Sequence, residues 1–385
     1  MQLHHGTLYW PATTKAFVAE KINEPRSHYD AVIVGAGMSG ALTAHYLMQQ
    51  GLTVAVLDKR NAGEGSTSAN TGLLQYSNDI MLSELIEQIG ERDAVQFYTL
   101  CYEAMQDLAK IAAPLACDFV PRNSIYYASS AEDEPRLRDN FAALTKHGFP
   151  VKESNFNGRY ALITSGDAEI NPLKFVHALL DDAEQHGVHV FPYTEVTDSF
   201  VRDNGVLLHT SMGDFTADAV IYTTGYETLP VGKRVRAAIH RSYVIVTEPL
   251  DDPPEAMIWE TAIPYLYIRK TADNRLIIGG LDEDIATAPS EASIANHAET
   301  LQHQAEQLLK RDLPIAYSYG ATFGESVDNL PFIGAHPTKA HHYYLLGYGG
   351  NGTVYSMMGA KMLAQLLKGE TPIGAHLVDL TERLV

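Results

Sequence analysis

Three stretches of the chain carry residue types at spacings that can do chemistry. The first is GAGMSG, where Gly35, Gly37 and Gly40 give GxGxxG spacing between an apolar run, DAVIV, and a helix-like segment, GALTAHYLMQQG. The first glycine permits a tight turn, the second lets backbone approach a pyrophosphate, and the third lets helix and strand pack closely. Asp58 ends the next apolar run, TVAVLDKR, where a carboxylate can accept hydrogen bonds from ribose hydroxyls. The second stretch is GEGSTSANTGLL, residues 63–74. Its Ser66, Thr67 and Ser68 can donate to phosphate oxygens, and the adjoining backbone can run along a flat ring. The same composition also suits a polar surface loop. The third is GYGGNGTVY, residues 347–355, which runs into SMMGAKMLAQLLKG. Backbone N–H groups and the helix dipole converge at such a junction and favour an anion. A helix start capped by Asn351 or Thr353 is compatible with the same residues. The spacing alone predicts dinucleotide binding and leaves NAD and FAD open.

These loops need elements to hold them. DAVIVGAG is a continuous apolar run, as expected of a parallel strand buried on both faces, and TVAVLDKR is a second. The segment between them has helical spacing and stops at Gly51, which completes a β-α-β unit. Residues 81–113 are predicted largely helical, SIYYA a strand, and PLKFVHALLDDAEQHG an amphipathic helix. VHVFPYTEV, VLLHTSMGDFTA and AVIYTTG read as a small meander. IHRSYVIVTEP, PYLYIRK and RLIIGG read as strands, the last two joined by a TADN turn, and a helix is expected over about 290–311.

The bulk composition narrows the function. The chain has 385 residues and a formal net charge of -19, which repels nucleic acid and anionic lipid. Cys101 and Cys117 provide no disulfide framework and fit a reducing compartment. No secretory signal and no apolar run of spanning length is evident, so a cytoplasmic location is expected, with no transmembrane segment. The sequence carries no signal of oligomeric state.

In order along residues 28–370, the motifs resemble the D-amino-acid-oxidase-like family of FAD-dependent oxidoreductases. GAGMSG resembles the family's dinucleotide loop and GSTSANTGLL its flavin-side loop. VIYTTGYET resembles its second strand end beneath the dinucleotide. YLYIRKTADNRLIIGG and YGATFGESVDNLPFIG resemble its substrate-domain hairpin and return strand, and GYGGNGTVYSMMGAKMLAQLLKG its final loop and helix. The implied fold is α/β: an FAD-binding Rossmann-like domain interleaved with an α+β substrate domain built on an antiparallel sheet. The expected division is an N-terminal extension at 1–27, an FAD-binding domain at 28–80, 166–235 and 325–385, and a substrate-binding domain at 81–165 and 236–324. The resemblance implies FAD contacts from Gly35, Gly37, Met38, Ser39, Gly40, Asp58, Lys59 and Arg60, then from Ser66, Thr67, Ser68, Asn70, Gly72, Leu73 and Leu74. Val196, Thr224 and Gly225 complete the nucleotide side. Gly349, Gly350, Asn351, Gly352 and Thr353 would face the pyrimidine end of the flavin, where reduction places negative charge.

The sequence also departs from the family. Some members attach flavin through a late cysteine or a histidine in the flavin-side loop. Neither residue is present here, so FAD is expected to bind noncovalently. The arginine that clamps substrate carboxylate before "LPxIG" is missing from FGESVDNLPFIG, and Gln75 stands where another anchor would be. Arg269 is the remaining candidate. Alternation in YLYIR places it with Tyr265 and Tyr267 on one face, as either a substrate anchor or a structural arginine. Arg241 and Arg122 are weaker candidates, and Tyr348 would close the pocket or belong to the core. His341 and His342 lack carboxylates at metal-ligand spacing, so no metal is expected. Ile277 occupies the place of the lysine that some oxidases use with oxygen, which favours a dehydrogenase. The expected activity is oxidation of the C–N bond of a small amino acid or amine by hydride transfer to flavin N5, followed by imine hydrolysis, with no obligatory base. The alternatives are a 2-hydroxy acid dehydrogenase and a non-catalytic flavoprotein.

Overall fold

The computed structural model describes residues 2–19, 24–228, 236–381 and 383. Residues 20–23 of the expected N-terminal extension and 229–235 of the expected FAD-binding segment lie outside the described residues. The chain divides into two compact units. The first comprises Met1–Thr13, Ala69–Asn171 and Ile239–Phe323; the second comprises Thr14–Ser68, Pro172–Ala238 and Gly324–Val385.

The first unit is built on a ten-stranded sheet, predominantly antiparallel. Its central strands are Ala237–Thr247, Leu276–Glu283, Tyr267–Lys270, Met257–Glu260, Val120–Tyr127 and Arg159–Glu169, in that spatial order. Met257–Glu260 lies parallel to Val120–Tyr127. One face is covered by the helix Glu291–Leu309. Ile294, Ala298, Leu301 and Ala305 recur at helical spacing and pack on Tyr243, Ile245, Ile258, Ile268, Leu276 and Ile278. Ser290 starts this helix, its hydroxyl accepting from the Ser293 amide.

Strand alternation leaves Tyr126, Trp259, Tyr267 and Gly279 for the opposite face. They fall in one cross-strand row: Tyr126 pairs with Trp259, Trp259 with Tyr267, and Tyr267 with Gly279. A Cβ on Gly279 would lie 2.1 Å from the Tyr267 hydroxyl, so only glycine lets that ring lie across the strand.

Several expectations need correction here. Residues 4–6 form a strand, antiparallel to Ile315–Ser326, and Trp10 on the helix Tyr9–Thr13 is buried. The start of the chain is therefore part of the first unit, held by sheet hydrogen bonds and an indole, and does not form an extension. Residues 69–80 also fall in the first unit, because Leu73–Leu74 pairs with Ala168–Glu169. The predicted helix over 81–113 is broken by Gly90 at φ 87 into Leu82–Ile89 and Glu91–Ala112. The helix Glu134–Lys146 was not expected from the pattern.

The second unit holds a sheet ordered Phe332–Ala335, His342–Leu346, Gly213–Tyr222, Tyr29–Val34, Val54–Leu57 and His189–Phe191. All neighbours run parallel except Phe332–Ala335. The meander strands Val196–Arg202 and Gly205–Thr210 continue from Gly213–Tyr222. Tyr29–Val34 sits where the strand order reverses, which opens a crevice at its carboxyl end. GAGMSG lies at that end.

Candidate functional site: two glycine loops and an aromatic sheet face

The early loop in the second unit is shaped by close approaches that side chains would block. Gly35 has φ 115, and a Cβ there would meet the Thr223 carbonyl oxygen at 2.7 Å. A Cβ on Gly40 would fall 1.8 Å from the Gly35 carbonyl oxygen, so strand end and helix Met38–Gln49 pack with no room to spare. Gly37 differs. Its Cβ would meet only the Thr67 hydroxyl, at 3.1 Å, and otherwise open space. This is the cradle expected where a phosphate approaches backbone. The Met38 amide donates to Thr67 Oγ1 at 3.1 Å, which ties the early loop to the serine-rich turn Ser66–Ala69. Ser68 turns back on its own chain, donating to Gly65 O at 2.8 Å.

Asp58 is held in place by backbone. Its carboxylate accepts from the Ala36 amide at 2.7 Å and from the Arg60 amide at 2.8 Å. Burial pushes its carboxyl above the ordinary range, and the two amide bonds oppose that shift. Lys59 and Arg60 were expected to face the cofactor. Their charged ends instead pair with Glu227, at 3.0 Å and 2.5 Å, and the pair holds the Glu227 carboxyl down at about 2 despite its partial burial. Residues 193 and 194 lie against this turn, with the Thr194 amide donating to Asp58 O. Two residues further on, Val196 opens its strand partly buried against the cluster containing Phe191 and Phe215.

The late loop belongs to the same unit. The helix Gly352–Leu367 begins at Asn351, whose side chain makes no capping bond. Helical geometry leaves the amides of Gly352 and Thr353 without an intrahelical partner. The Gly349 amide was expected to serve the ligand as well; it is committed to Gly324 O at 2.7 Å. The Ser39 and Ser356 hydroxyls share a hydrogen bond of 2.7 Å, and Ser356 also donates to Gly352 O. Ser39 lies in the first turn of its helix and Ser356 at the start of the second turn of the other, so the two positive helix ends are brought side by side.

Thr224 and Gly225 follow the strand Gly213–Tyr222, and Gly225 has φ 55. The residue that grips the early loop is their neighbour, Thr223, which donates to both Val34 O and Gly35 O at 3.0 Å. Only the second threonine of the TTG motif was singled out, although the repeated threonine was a visible signal. Tyr348 is 1% exposed, packed with Tyr226 and Phe332 over Gly324. It is part of the core of the second unit.

The remaining expected residues lie in the first unit. Asn70 Oδ1 accepts from the Gly72 amide at 2.7 Å, and Trp10 Nε1 donates to Asn70 O at 2.6 Å. Leu74 is fully buried, and Leu73 is partly buried beside it. Arg269 is a correction. It is 2% exposed, and its Nε, Nη1 and Nη2 donate to the carbonyls of Thr71, Lys270 and Ile170 at 2.8–2.9 Å. Burial pushes its guanidinium down to about 10, so it remains charged at neutral pH. With each of its three nitrogens bonded to a backbone carbonyl, Arg269 positions the flavin-side loop, which does not fit a substrate anchor. The alternation that put it beside Tyr267 was right about the face but silent about the carbonyls waiting there.

The other arginines are also engaged. Arg122 pairs with Glu169 and Glu255, and Arg241 with Glu283. Gln75 is buried and donates to Ser124 Oγ at 3.0 Å. His342 is held between Ser199 Oγ and Ala340 O. Among the described residues no group of three or more His, Cys, Asp or Glu could hold a metal ion.

Tyr265 and Tyr267 do gather, with ring centroids 5.9 Å apart. They are joined by Trp259, 6.4 Å from Tyr265, and by Tyr126, stacked on Trp259 at 3.7 Å. Asp282 faces the same group and Asp79 accepts from the Tyr265 hydroxyl. Trp259, Tyr126 and both aspartates lie in four separate segments, so no motif in the sequence joins them.

A parallel sheet with a glycine cradle at its reversal point and two helix N-termini side by side defines a dinucleotide-binding flavoprotein class. Residues 30–366 match the family model described as DAO, FAD dependent oxidoreductase. The chain belongs to that family, and its cofactor is FAD. It is 25% identical to a glycine oxidase of Geobacillus kaustophilus (strain HTA426), over 88% of this chain and 93% of that protein. It is 24% identical to the gamma-glutamylputrescine oxidoreductase of Escherichia coli (strain K12), over 96% of this chain and 90% of that protein. In fold it is similar to the crystal structure of L-proline dehydrogenase from P. horikoshii, with a TM-score of 0.79, 18% identity, and coverage of 93% of this chain and 98% of that chain.

Proposed function

We propose that the protein oxidises the C–N bond of a small amine or amino acid. The observation that carries this is the junction of the early and late glycine loops through Ser39 and Ser356, which aims two helix N-termini at one bound FAD. The relatives named for glycine and gamma-glutamylputrescine act on C–N compounds by name and support the same class. When bound, FAD supplies the hydride acceptor at N5 for the carbon beside a neutral amine nitrogen, and water hydrolyses the resulting imine.

The chain's own residues bind and orient. Gly37 and Met38 approach the pyrophosphate, Asp58 the ribose, and Gly352 and Thr353 offer amides where reduction places charge. Lys59 and Arg60 keep Glu227 in place. The second unit is the FAD-binding part and the aromatic face of the first unit receives substrate. FAD is held noncovalently, in keeping with the full burial of Cys101 and Cys117. Ile277, fully buried, stands at the position where some oxidases of the family carry a lysine for reaction with oxygen, which favours a dehydrogenase, and a cytoplasmic location fits the composition. No described helix is long and apolar enough to cross a membrane.

The test is an anaerobic visible spectrum of the FAD-loaded protein with pooled amines and amino acids. Bleaching by one pool is expected. Bleaching by 2-hydroxy acids alone would overturn the proposal.

A further inference from the structure

The aromatic face of the first unit ends in a carboxylate with no lysine or arginine acting on it among the described residues. The strands Leu276–Glu283 and Ala237–Thr247 slip register between Arg241 and Tyr243: Arg241 pairs with Glu283 and Tyr243 with Gly280. Ser242 therefore faces two residues, Leu281 and Asp282, and Leu281 takes φ 57 to make the bulge. Bulges re-aim side chains, and this one turns Asp282 toward Tyr267 and Ser242. Asp282 Oδ1 is buried and meets no hydrogen-bond partner among the described residues. The charged groups that act on it are Asp79, a like charge, and His240, which pairs with the exposed Asp284. Burial and Asp79 push its carboxyl up to about 6. A second polar group is also orphaned: Trp259 is 7% exposed and its Nε1–H has no acceptor.

A buried carboxylate without a counter-ion is costly, and the cost is relieved when a cation arrives. Tyr126, Trp259, Tyr265 and Tyr267 present the electron-rich faces that favour an ammonium ion. Arg269, Arg122 and Arg241 are all engaged elsewhere, and Arg136, which acts on Tyr126, pairs with Glu84, so among the described residues these arginines offer this face no free fork for a carboxylate. We propose that the face around Asp282 recognises its substrate through a protonated amine and makes no demand for a carboxylate. The inference rests on the C–N oxidation proposed above. There the reacting nitrogen must be neutral, so the ammonium held by Asp282 is a second one. The substrate class is an amine bearing another, protonated nitrogen.

The test uses two tert-butyl compounds of opposite charge, tert-butylamine and pivalate. They share the tert-butyl group, and neither has a hydrogen on the carbon that bears its polar group, so neither is oxidised. Binding to the FAD-loaded protein is followed by calorimetry and by tryptophan fluorescence. The expected result is that tert-butylamine binds and pivalate does not. Asp282→Asn should weaken the amine at least tenfold with unchanged FAD content, and Asp282→Glu should keep the preference for the cation. Pivalate binding as tightly as the amine, or an Asp282→Asn protein with unaltered amine affinity, would overturn the proposal. Anaerobic reduction by 1,4-diaminobutane, compared with glycine, separates the two claims. Flavin bleached by glycine and not by the diamine sinks the cation proposal and leaves C–N oxidation standing. Asp282-dependent amine binding with no bleaching by any amine supports the cation proposal while C–N oxidation fails.

Discussion

Replacing Arg269 with methionine distinguishes a positioning residue from a substrate anchor. The substitution keeps much of the aliphatic stem and removes three donors, leaving the carbonyls of Thr71, Lys270 and Ile170 buried and unpaired. It also removes the charge 3.9 Å from Glu169, a carboxylate only 2% exposed whose Oε2 already lacks a hydrogen bond. Hydrogen bonds to a charged group contribute about 1.5–3 kcal/mol each, and breaking a buried pair costs about 3–5 kcal/mol. These terms share atoms and do not add, so a net loss of about 4 kcal/mol is expected. For a unit of this size that is a fall in Tm of roughly 10 °C. The assay is thermal unfolding followed by circular dichroism and by flavin release, alongside kcat and KM. Arg269→Lys should recover part of the loss, because one ammonium cannot serve three separated carbonyls. A methionine variant with the parental Tm and a KM raised tenfold or more would refute the positioning role and restore Arg269 as a substrate clamp.

Other consequences follow from the second unit and the thiols. Gly37→Ala should leave the apoprotein's Tm nearly unchanged while weakening FAD about tenfold or more, whereas Gly40→Ala, colliding with Gly35 O, should destabilise the apoprotein by about 3 kcal/mol; FAD titration and apoprotein melting separate them. His342 is pushed down to about 4 by burial and so stays neutral in the native state. The unfolded chain binds its proton below about pH 6.5, so the contribution is present above that pH and is lost as pH falls toward 4. Denaturant melts should lose about 2 kcal/mol from this source at pH 4.5, and His342→Gln should flatten the slope. Cys101, pushed up to about 12 by burial, and Cys117 should resist iodoacetamide at pH 8 in the native protein, with both alkylated after denaturation when followed by mass spectrometry.

What the sequence by itself determined was local. A buried parallel strand, a glycine loop and a helix follow one another within about thirty residues, and each requirement there is met by the residue itself: no side chain at 35, 37 and 40, and an acid at 58. The late loop was legible for the same reason, since a helix start advertises its amides. The family order of the motifs then gave fold and cofactor together. What only the tertiary structure decided was partnership. Thr223 grips the early loop from a strand far along the chain, and Ser356 reaches Ser39 across more than three hundred residues. Lys59 and Arg60 are taken by Glu227, and the Gly349 amide by Gly324. Arg269 showed a charge in an alternating pattern, but whether a charge meets substrate or backbone depends on which carbonyls the fold delivers to it. Asp282 gave no signal at all, because a carboxylate becomes informative only when folding buries it and provides no cation.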